Sequence, residues 1–251
     1  MNKETAQNKS TLIYVLVYLI LWIVLFEFIL PVNNILPKPS IVWQSFSALW
    51  EDYNLPVNYL NTVSSIYLSI TAAYFIVHFI SPVILNKKNF LTDFIHSLNW
   101  FSNFLPGIVI GMMIIFWFPE SNYIEFIFVL FTSISSFIIF LQKEINNVPS
   151  EYTDAARSLG VSENKINKQV IWKSMQPDFY NHIIDLHLYI WPMIIAFEFI
   201  KGGYGLGSIF RFALKYRDLS ALFSTFIITG LTIYLGIIII RFFKNKFAYR
   251  G

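Results

Sequence analysis

Six stretches of about 20 mainly apolar residues constrain this chain more than anything else in it. A helix needs about 20 such residues to cross a bilayer. The stretches are residues 11–30, 60–85, 91–118, 123–141, 183–200 and 221–240. In hydrocarbon each backbone polar group must be satisfied within its own segment or in a closed barrel. Runs of this length therefore predict an all-α, polytopic membrane protein with about six transmembrane helices. Charge content agrees: only 13% of the 251 residues are charged, against about 25% in soluble domains. With 56% hydrophobic residues and a mean hydropathy of +0.56, there is too little charge to cover a water-soluble surface. An intrinsically disordered chain is excluded on the same ground. The chain has no cysteine, which excludes disulfides, thiolate metal sites and cysteine nucleophiles. A net charge of +3 gives no basis for nucleic-acid binding.

Two segments need separate treatment. The first could be a signal peptide by length, but it carries Glu27 and is followed by Pro31, with no small-residue cleavage site behind it. It reads as a retained span. The third is interrupted by Leu105, Pro106 and Gly107, which predicts a kink or break there. Cytoplasmic loops of membrane proteins carry an excess of Lys and Arg. With the N-terminus inside, six spans place Lys3, Lys9, Lys87, Lys88, Lys143, Arg157, Lys165, Lys168, Lys173, Arg241, Lys244, Lys246 and Arg250 on the cytoplasmic side. The outer side receives Lys38, Lys201, Arg211, Lys215 and Arg217. Thirteen against five of the 18 basic residues predicts that both termini are cytoplasmic. Residues 1–251 are expected to form one transmembrane domain.

The longest connection, residues 142–182, is polar and helix-compatible. Connections beyond about 15 residues usually carry structure or a function. It contains Pro149, suited to a helix start, with Ser150, Glu151 and Asp154 placing acceptors and negative charge at that end. Ala155 and Ala156 leave room for close approach of another surface, and Gly160 suits a helix stop in the left-handed conformation. A second short helix is expected from about Ser162 to Ser174, leading towards Pro177. Two short helices at a sharp angle would suit insertion into a partner's groove.

At these residues the sequence resembles the permease subunits of ATP-binding-cassette importers. Their cytoplasmic signature is Glu-Ala-Ala, three residues, Gly, and about nine residues later an apolar residue and Leu-Pro. Asp154-Ala155-Ala156 and Gly160 match that spacing with Asp for Glu, and Val170 takes the apolar position. Trp172-Lys173 departs from Leu-Pro, while Pro177 matches a later proline of the nitrate, sulfonate and taurine branch. Leu36-Pro37-Lys38-Pro39, Pro106, and Phe116-Trp117-Phe118 followed by Glu120 also resemble that branch. So does Glu198 followed by Gly202-Gly203-Tyr204-Gly205-Leu206-Gly207.

The resemblance implies a prokaryotic cytoplasmic-membrane importer. Two permease subunits, expected to be a homodimer, would form one path. A pair of cytosolic ATPases would use ATP-Mg, and a periplasmic or lipoprotein solute-binding protein would deliver the cargo. Asp154, Ala155, Ala156, Gly160 and Val161 would couple to the ATPase. Glu198, Gly203, Gly205, Leu206 and Gly207 would form a gating or turn element on the outer side. No G-x-x-x-x-G-K-[ST] phosphate loop occurs in the chain, so ATP hydrolysis is assigned to another subunit. The resemblance gives small anions such as sulfonates, taurine or nitrate as the cargo class. Thiamine precursors and other heterocycles are the alternative.

The acids in or beside the spans are Glu27, Glu125, Asp185 and Glu198. Glu27, Glu125 and Asp185 read as membrane-boundary residues reached by water, whereas Glu198 is balanced between that and a structural or gating role. The glycines at 202–207 lack a preceding strand, so they read as a tight turn rather than a phosphate nest. His78, His96, His182 and His187 have neither the spacing nor the thiolate neighbours of a metal site. Two rival classes remain. A membrane-embedded transferase would need paired acids or a histidine–acid site at a span end, and no D-D-x-x-D cluster occurs. A secondary transporter would leave the Asp154–Gly160 element without a role.

Overall fold

The computed structural model describes residues 3–30, 36–85, 97, 107–119 and 123–247. Every regular element among them is helical. In chain order they are α1 (Lys3–Ile23), which continues as a π-helical stretch Val24–Ile29, α2 (Pro39–Glu51), α3 (Leu55–Ile84) and α4 (Gly107–Trp117). Then follow α5 (Ile124–Glu144), α6 (Ser150–Ser158), α7 (Glu163–Lys201), α8 (Leu206–Tyr216) and α9 (Leu219–Phe247). Four of them, α3, α5, α7 and α9, are long and apolar enough to cross a bilayer, and two shorter apolar helices lie at Ile13–Ile29 and Gly107–Trp117. This is the helical membrane architecture expected. The expected break at Leu105 and Pro106 lies outside the described residues.

One expectation is corrected. The second half of the 142–182 connection is not a separate short helix. It is the beginning of α7, a 39-residue helix from Glu163 to Lys201. Pro177 does not stop it. An interior proline costs about 3 kcal/mol, but Trp172, Met175 and Phe179 on either side are buried. Their burial outweighs the lost hydrogen bond. A π-helical turn, Ile166–Ile171, precedes them.

The chain divides into two compact units. The first comprises residues 1–56 and 209–229. Here Glu27 is not simply a boundary acid. Its carboxylate accepts the Ser40 N–H at 3.2 Å and the Ser40 hydroxyl at 2.9 Å, which supplies the acceptor that the first turn of α2 lacks. Further along α2, Ser45 donates to the Val42 carbonyl at 2.8 Å and pairs with Ser224 of α9, which donates to the same carbonyl at 2.9 Å.

Asp218 caps α9 in the same unit. Its carboxylate accepts the Ala221 N–H at 3.0 Å and the Ser220 hydroxyl at 2.6 Å, and Tyr53 donates to its other oxygen at 3.0 Å. Burial pushes the Asp218 carboxyl up, but these donors outweigh it and hold the group below its ordinary 3.8. Burial, and then the hydrogen bond to Asp218, raise the Tyr53 phenol from 10.0 to about 12. The signs follow from linkage. Asp218's contribution is present above pH 3.8 and is lost as pH falls through its lower folded value. Tyr53's contribution is present below pH 10.0 and is lost as pH rises through about 12. Asp218→Ala is expected to cost about 1 kcal/mol at neutral pH, as loss of an N-cap does. In thermal melts, the gap between variant and wild type should shrink as pH is lowered below the ordinary carboxylate range.

The second unit comprises residues 57–208 and 230–251. Its core lies between α5 and α7. Phe128 stacks on Phe197 with ring centroids 4.5 Å apart, and Phe137 meets Phe179 at 4.8 Å. Gly111 of α4 lies against the first pair, where a β-carbon would stand 2.9 Å from the Phe197 ring. His187 and His182 are structural members of this core. The Trp191 indole N–H, which can only donate, points at His187 Nε2 at 2.9 Å, so that nitrogen is an acceptor. The Tyr67 hydroxyl reaches the same nitrogen at 3.0 Å. His182 Nε2 lies 3.0 Å from the Ser136 hydroxyl.

Candidate coupling element and glycine turn

Helix α6 begins immediately after Pro149 and ends in a turn that the sequence dictates. The Val161 N–H donates to the Ala156 carbonyl at 3.1 Å, and the Gly160 N–H to the Arg157 carbonyl at 2.9 Å. Gly160 has φ +73°. This pair of bonds around a left-handed glycine is a Schellman stop. A β-carbon on Gly160 would have no atom within 4 Å, so glycine is required there by backbone conformation and not by space.

Arg157 then braces the corner between α6 and α7. Its guanidinium donates to Asp154 at 3.1 Å and to Glu163 at 2.8 and 3.4 Å. Hydrogen bonds to Glu163 first, and then its charge, raise the Arg157 pKa above its usual value. All three side chains are solvated. The bridge therefore orients the corner more than it stabilises the fold.

Asp154 and Ala155 are exposed, and Ala156 and Val161 are half-buried. Tyr152, Ala155 and Leu159 recur at i, i+3 and i+7 along one helix face. Tyr152 is 57% exposed and Leu159 is 82% exposed. No residue of α6 is buried. The element is thus a short helix with an apolar stripe turned to solvent, joined by a short turn to the start of the 39-residue α7.

The glycine turn is assembled from three segments. Gly202, Gly203 and Gly205 all have positive φ, at +72°, +87° and +111°. They reverse the chain between α7 and α8. Three successive N–H groups at the start of α8 then find side-chain acceptors on α3 and α7. Gly205 N–H donates to Asn58 Oδ1 at 2.8 Å, Leu206 N–H to Thr62 Oγ1 at 2.8 Å, and Gly207 N–H to Glu198 Oε2 at 2.9 Å. Thr62 Oγ1 in turn donates to Glu198 Oε1 at 2.7 Å.

Glu198 is wholly buried. Two donors and the positive end of α8 face its carboxyl group, which is what makes such burial tolerable. The two glycines that flank Leu206 leave the space Glu198 needs. A β-carbon on Gly205 would lie 2.1 Å from the Glu198 carboxyl carbon, and one on Gly207 would lie 2.3 Å from the Ile195 carbonyl oxygen.

The structure therefore brings Glu198, Gly205, Leu206 and Gly207 into one cluster, while Gly203 faces open space at the rim. Sequence reasoning missed Asn58 and Thr62. Their signal was available as two polar residues at i and i+4 on one face of an apolar span. Glu125 corrects another expectation. It is not a water-exposed boundary residue but is 1% exposed and receives the Lys201 ammonium at 2.6 Å. A buried charge needs a paired partner, and Lys201 at the end of α7 supplies it. Asp185 is exposed on α7. Trp172, the departure from the expected Leu-Pro, is buried 5.3 Å from Phe179 and 5.2 Å from His78, ring to ring.

These features define a helical membrane protein whose spans carry a solvent-facing helix on one connection and a sealed glycine turn on another. Comparison with known families identifies the class. The sequence model of the family described as binding-protein-dependent transport system inner membrane component matches residues 79–250, and the chain belongs to that family. It is a multi-pass permease component of an importer that works with an ATP-binding-cassette ATPase and a solute-binding protein. No curated protein gives a significant match to the chain.

Proposed function

We propose that this chain forms, with a second copy of itself, the translocation path for a small anion such as a sulfonate, taurine or nitrate. The observation that carries the coupling part of this reading is the exposed apolar stripe of α6. A helix this short, with no buried residue and with Tyr152 and Leu159 in solvent, has the form of one half of an interface. Asp154, Ala155, Ala156, Gly160 and Val161 belong to the element that meets the cytosolic ATPase. ATP-Mg is bound and hydrolysed by that partner. Movement of the ATPase pair shifts α6, and the braced corner at Arg157 carries the shift into α7. This is a two-state packing change driven by a partner's nucleotide state.

Both termini and residues 142–182 lie on the ATPase side in this reading, supported by the distribution of Lys and Arg. The glycine turn lies on the opposite side, where Glu198 and its partners hold α8 in place while the solute-binding protein docks. The anion class is supported by the resemblance of residues 36–39 and of the Glu198–Gly207 stretch to the nitrate, sulfonate and taurine branch.

The test is reconstitution of the chain with its ATPase in liposomes. ATPase activity is expected to rise when a binding protein loaded with a sulfonate, taurine or nitrate is added. Stimulation only by a binding protein loaded with a heterocycle would reject the anion class and keep the permease. In the same vesicles, a cysteine replacing the exposed Tyr204 should label from the binding-protein side and one replacing Ser162 from the ATPase side. The reverse pattern would overturn the orientation.

A further inference from the structure

The start of α7 lies along the C-terminal half of α3, and three contacts set their register. Asn167 donates to the Pro82 carbonyl at 3.4 Å, Trp172 faces His78 with ring centroids 5.2 Å apart, and Phe179 meets Tyr74 at 5.7 Å. The middle contact is incomplete. Trp172 is 2% exposed, and its indole N–H is buried with no acceptor among the described residues. His78 Nδ1 is likewise buried with no partner among them. Both atoms are enclosed by this chain itself, so neither waits for a second copy or for the ATPase. Native structures leave few buried polar groups unpaired, because each costs as much as a lost hydrogen bond. Here two stand side by side. The indole N–H can only donate, and Nδ1 accepts when the imidazole proton is on Nε2. The two orphans are complementary.

Neighbouring rings hold them apart. Tyr74 stacks on His78 at 6.1 Å, and Phe179 meets Trp172 at 5.3 Å. Each helix is also irregular beside its orphan. Pro82 has no N–H to give the His78 carbonyl, and the Ser81 hydroxyl supplies that bond at 2.8 Å. The π-helical turn Ile166–Ile171 ends at Trp172, and single π turns inside α-helices are common at functional sites. Both helices therefore have a place that absorbs a small shift of one past the other.

We propose that Trp172 and His78 form a two-position latch between α7 and α3, open in this structure and closed by an indole N–H to Nδ1 hydrogen bond when the ATPase moves α6. Packed interfaces switch between discrete arrangements rather than deforming continuously. A bond made in only one arrangement biases the equilibrium towards it. Resting on α6 as the ATPase contact, the latch makes α3 a second receiver of the stroke, beside the corner at Arg157. Trp172 and His78 are positioning residues, since neither touches ATP or cargo.

The experiment uses the full chain with its ATPase in lipid nanodiscs, without nucleotide and trapped with ATP-Mg and vanadate. Indole N–H signals are followed by NMR, and Trp172→Phe identifies the Trp172 signal among those of the seven tryptophans. That signal is expected to move downfield on trapping, as a newly hydrogen-bonded N–H does, and to stay in place in His78→Phe. ATP hydrolysis by the complex is read with ATP-Mg alone, without added cargo. His78→Phe and Trp172→Phe should each lower it about tenfold, the population change that loss of one hydrogen bond gives. The double variant should fall no further, because either change removes the same bond. His78→Asn, whose amide oxygen stands where Nδ1 stands, should restore hydrolysis. If Trp172→Phe fails to fold, the two His78 variants and the trapping shift that His78→Phe abolishes decide. An indole spectrum unchanged by trapping, or additive losses without rescue by His78→Asn, would overturn the latch. Failure of the α6 reading is separate: Leu159→Glu would then still retain the ATPase, whereas a failed latch leaves that loss intact and both single variants hydrolysing ATP as wild type does.

Discussion

Gly207→Ala is expected to destabilise the folded protein by about 3 kcal/mol, the upper part of the range for overpacking a closed site. The added methyl would stand 2.3 Å from the Ile195 carbonyl oxygen, 2.6 Å from Glu198 Cβ and 2.7 Å from the Phe199 N. Two of these atoms are backbone of the last turns of α7, which cannot yield as the end of a flexible side chain would. Gly205→Ala should cost at least as much, because it combines a 2.1 Å approach to the Glu198 carboxyl with φ +111°. Gly203→Ala is the internal control. Its φ of +87° carries strain, but no atom lies within 4 Å. It should therefore cost only the conformational part, about 1–2 kcal/mol. The check is the melting midpoint of each variant in detergent, followed by size-exclusion chromatography. Equal midpoints for Gly203→Ala and Gly207→Ala would show that the Glu198 cluster is looser than these distances require.

Leu159→Glu should leave that melting midpoint unchanged and remove transport. Leu159 is 82% exposed, and surface changes away from special features usually stay within about 0.5 kcal/mol. If α6 enters a groove of the ATPase, the same change places an unpaired carboxylate against apolar surface. Loss at such a central contact exceeds about 2 kcal/mol, or roughly thirtyfold in affinity. Tyr152→Ala should act in the same direction by removing the other large group of the stripe. Gly160→Val tests the geometry of the stop. Its φ of +73° resists a β-branched residue, so the Schellman turn would reorganise and α6 would no longer be held at its angle to α7. The measurements are pull-down of the ATPase and uptake, for protein present at normal levels in the membrane. Normal uptake with Leu159→Glu and Gly160→Val together would make the connection a solvated linker and dismiss the coupling role.

The kind of element was legible in the sequence, because the quantities that decide it are local. An apolar run of about 20 residues can satisfy its backbone in hydrocarbon only as a helix. Gly160 and Gly202–Gly205 mark stops because positive φ is cheap for glycine and costly for other residues. Glu198 stood out because an acid beside a glycine turn at the end of a span needs an explanation.

Other features were decided by tertiary structure alone. The start of α7 was expected near residue 183 and lies at Glu163, because Ile166, Ile171, Trp172, Met175 and Phe179 are buried along a stretch whose polar residues disguise it. Average hydropathy over that stretch is low, yet one face of it is core. Glu125 looked like a boundary acid until Lys201, 76 residues later, was found beside it. Asn58 and Thr62 accept N–H groups that lie 147 and 144 residues further along the chain. Hydropathy and backbone preference are properties of a residue and its neighbours in sequence. Whether a polar group is buried, and what satisfies it, depends on which distant segments the fold brings within 3 Å, and no local pattern encodes that distance.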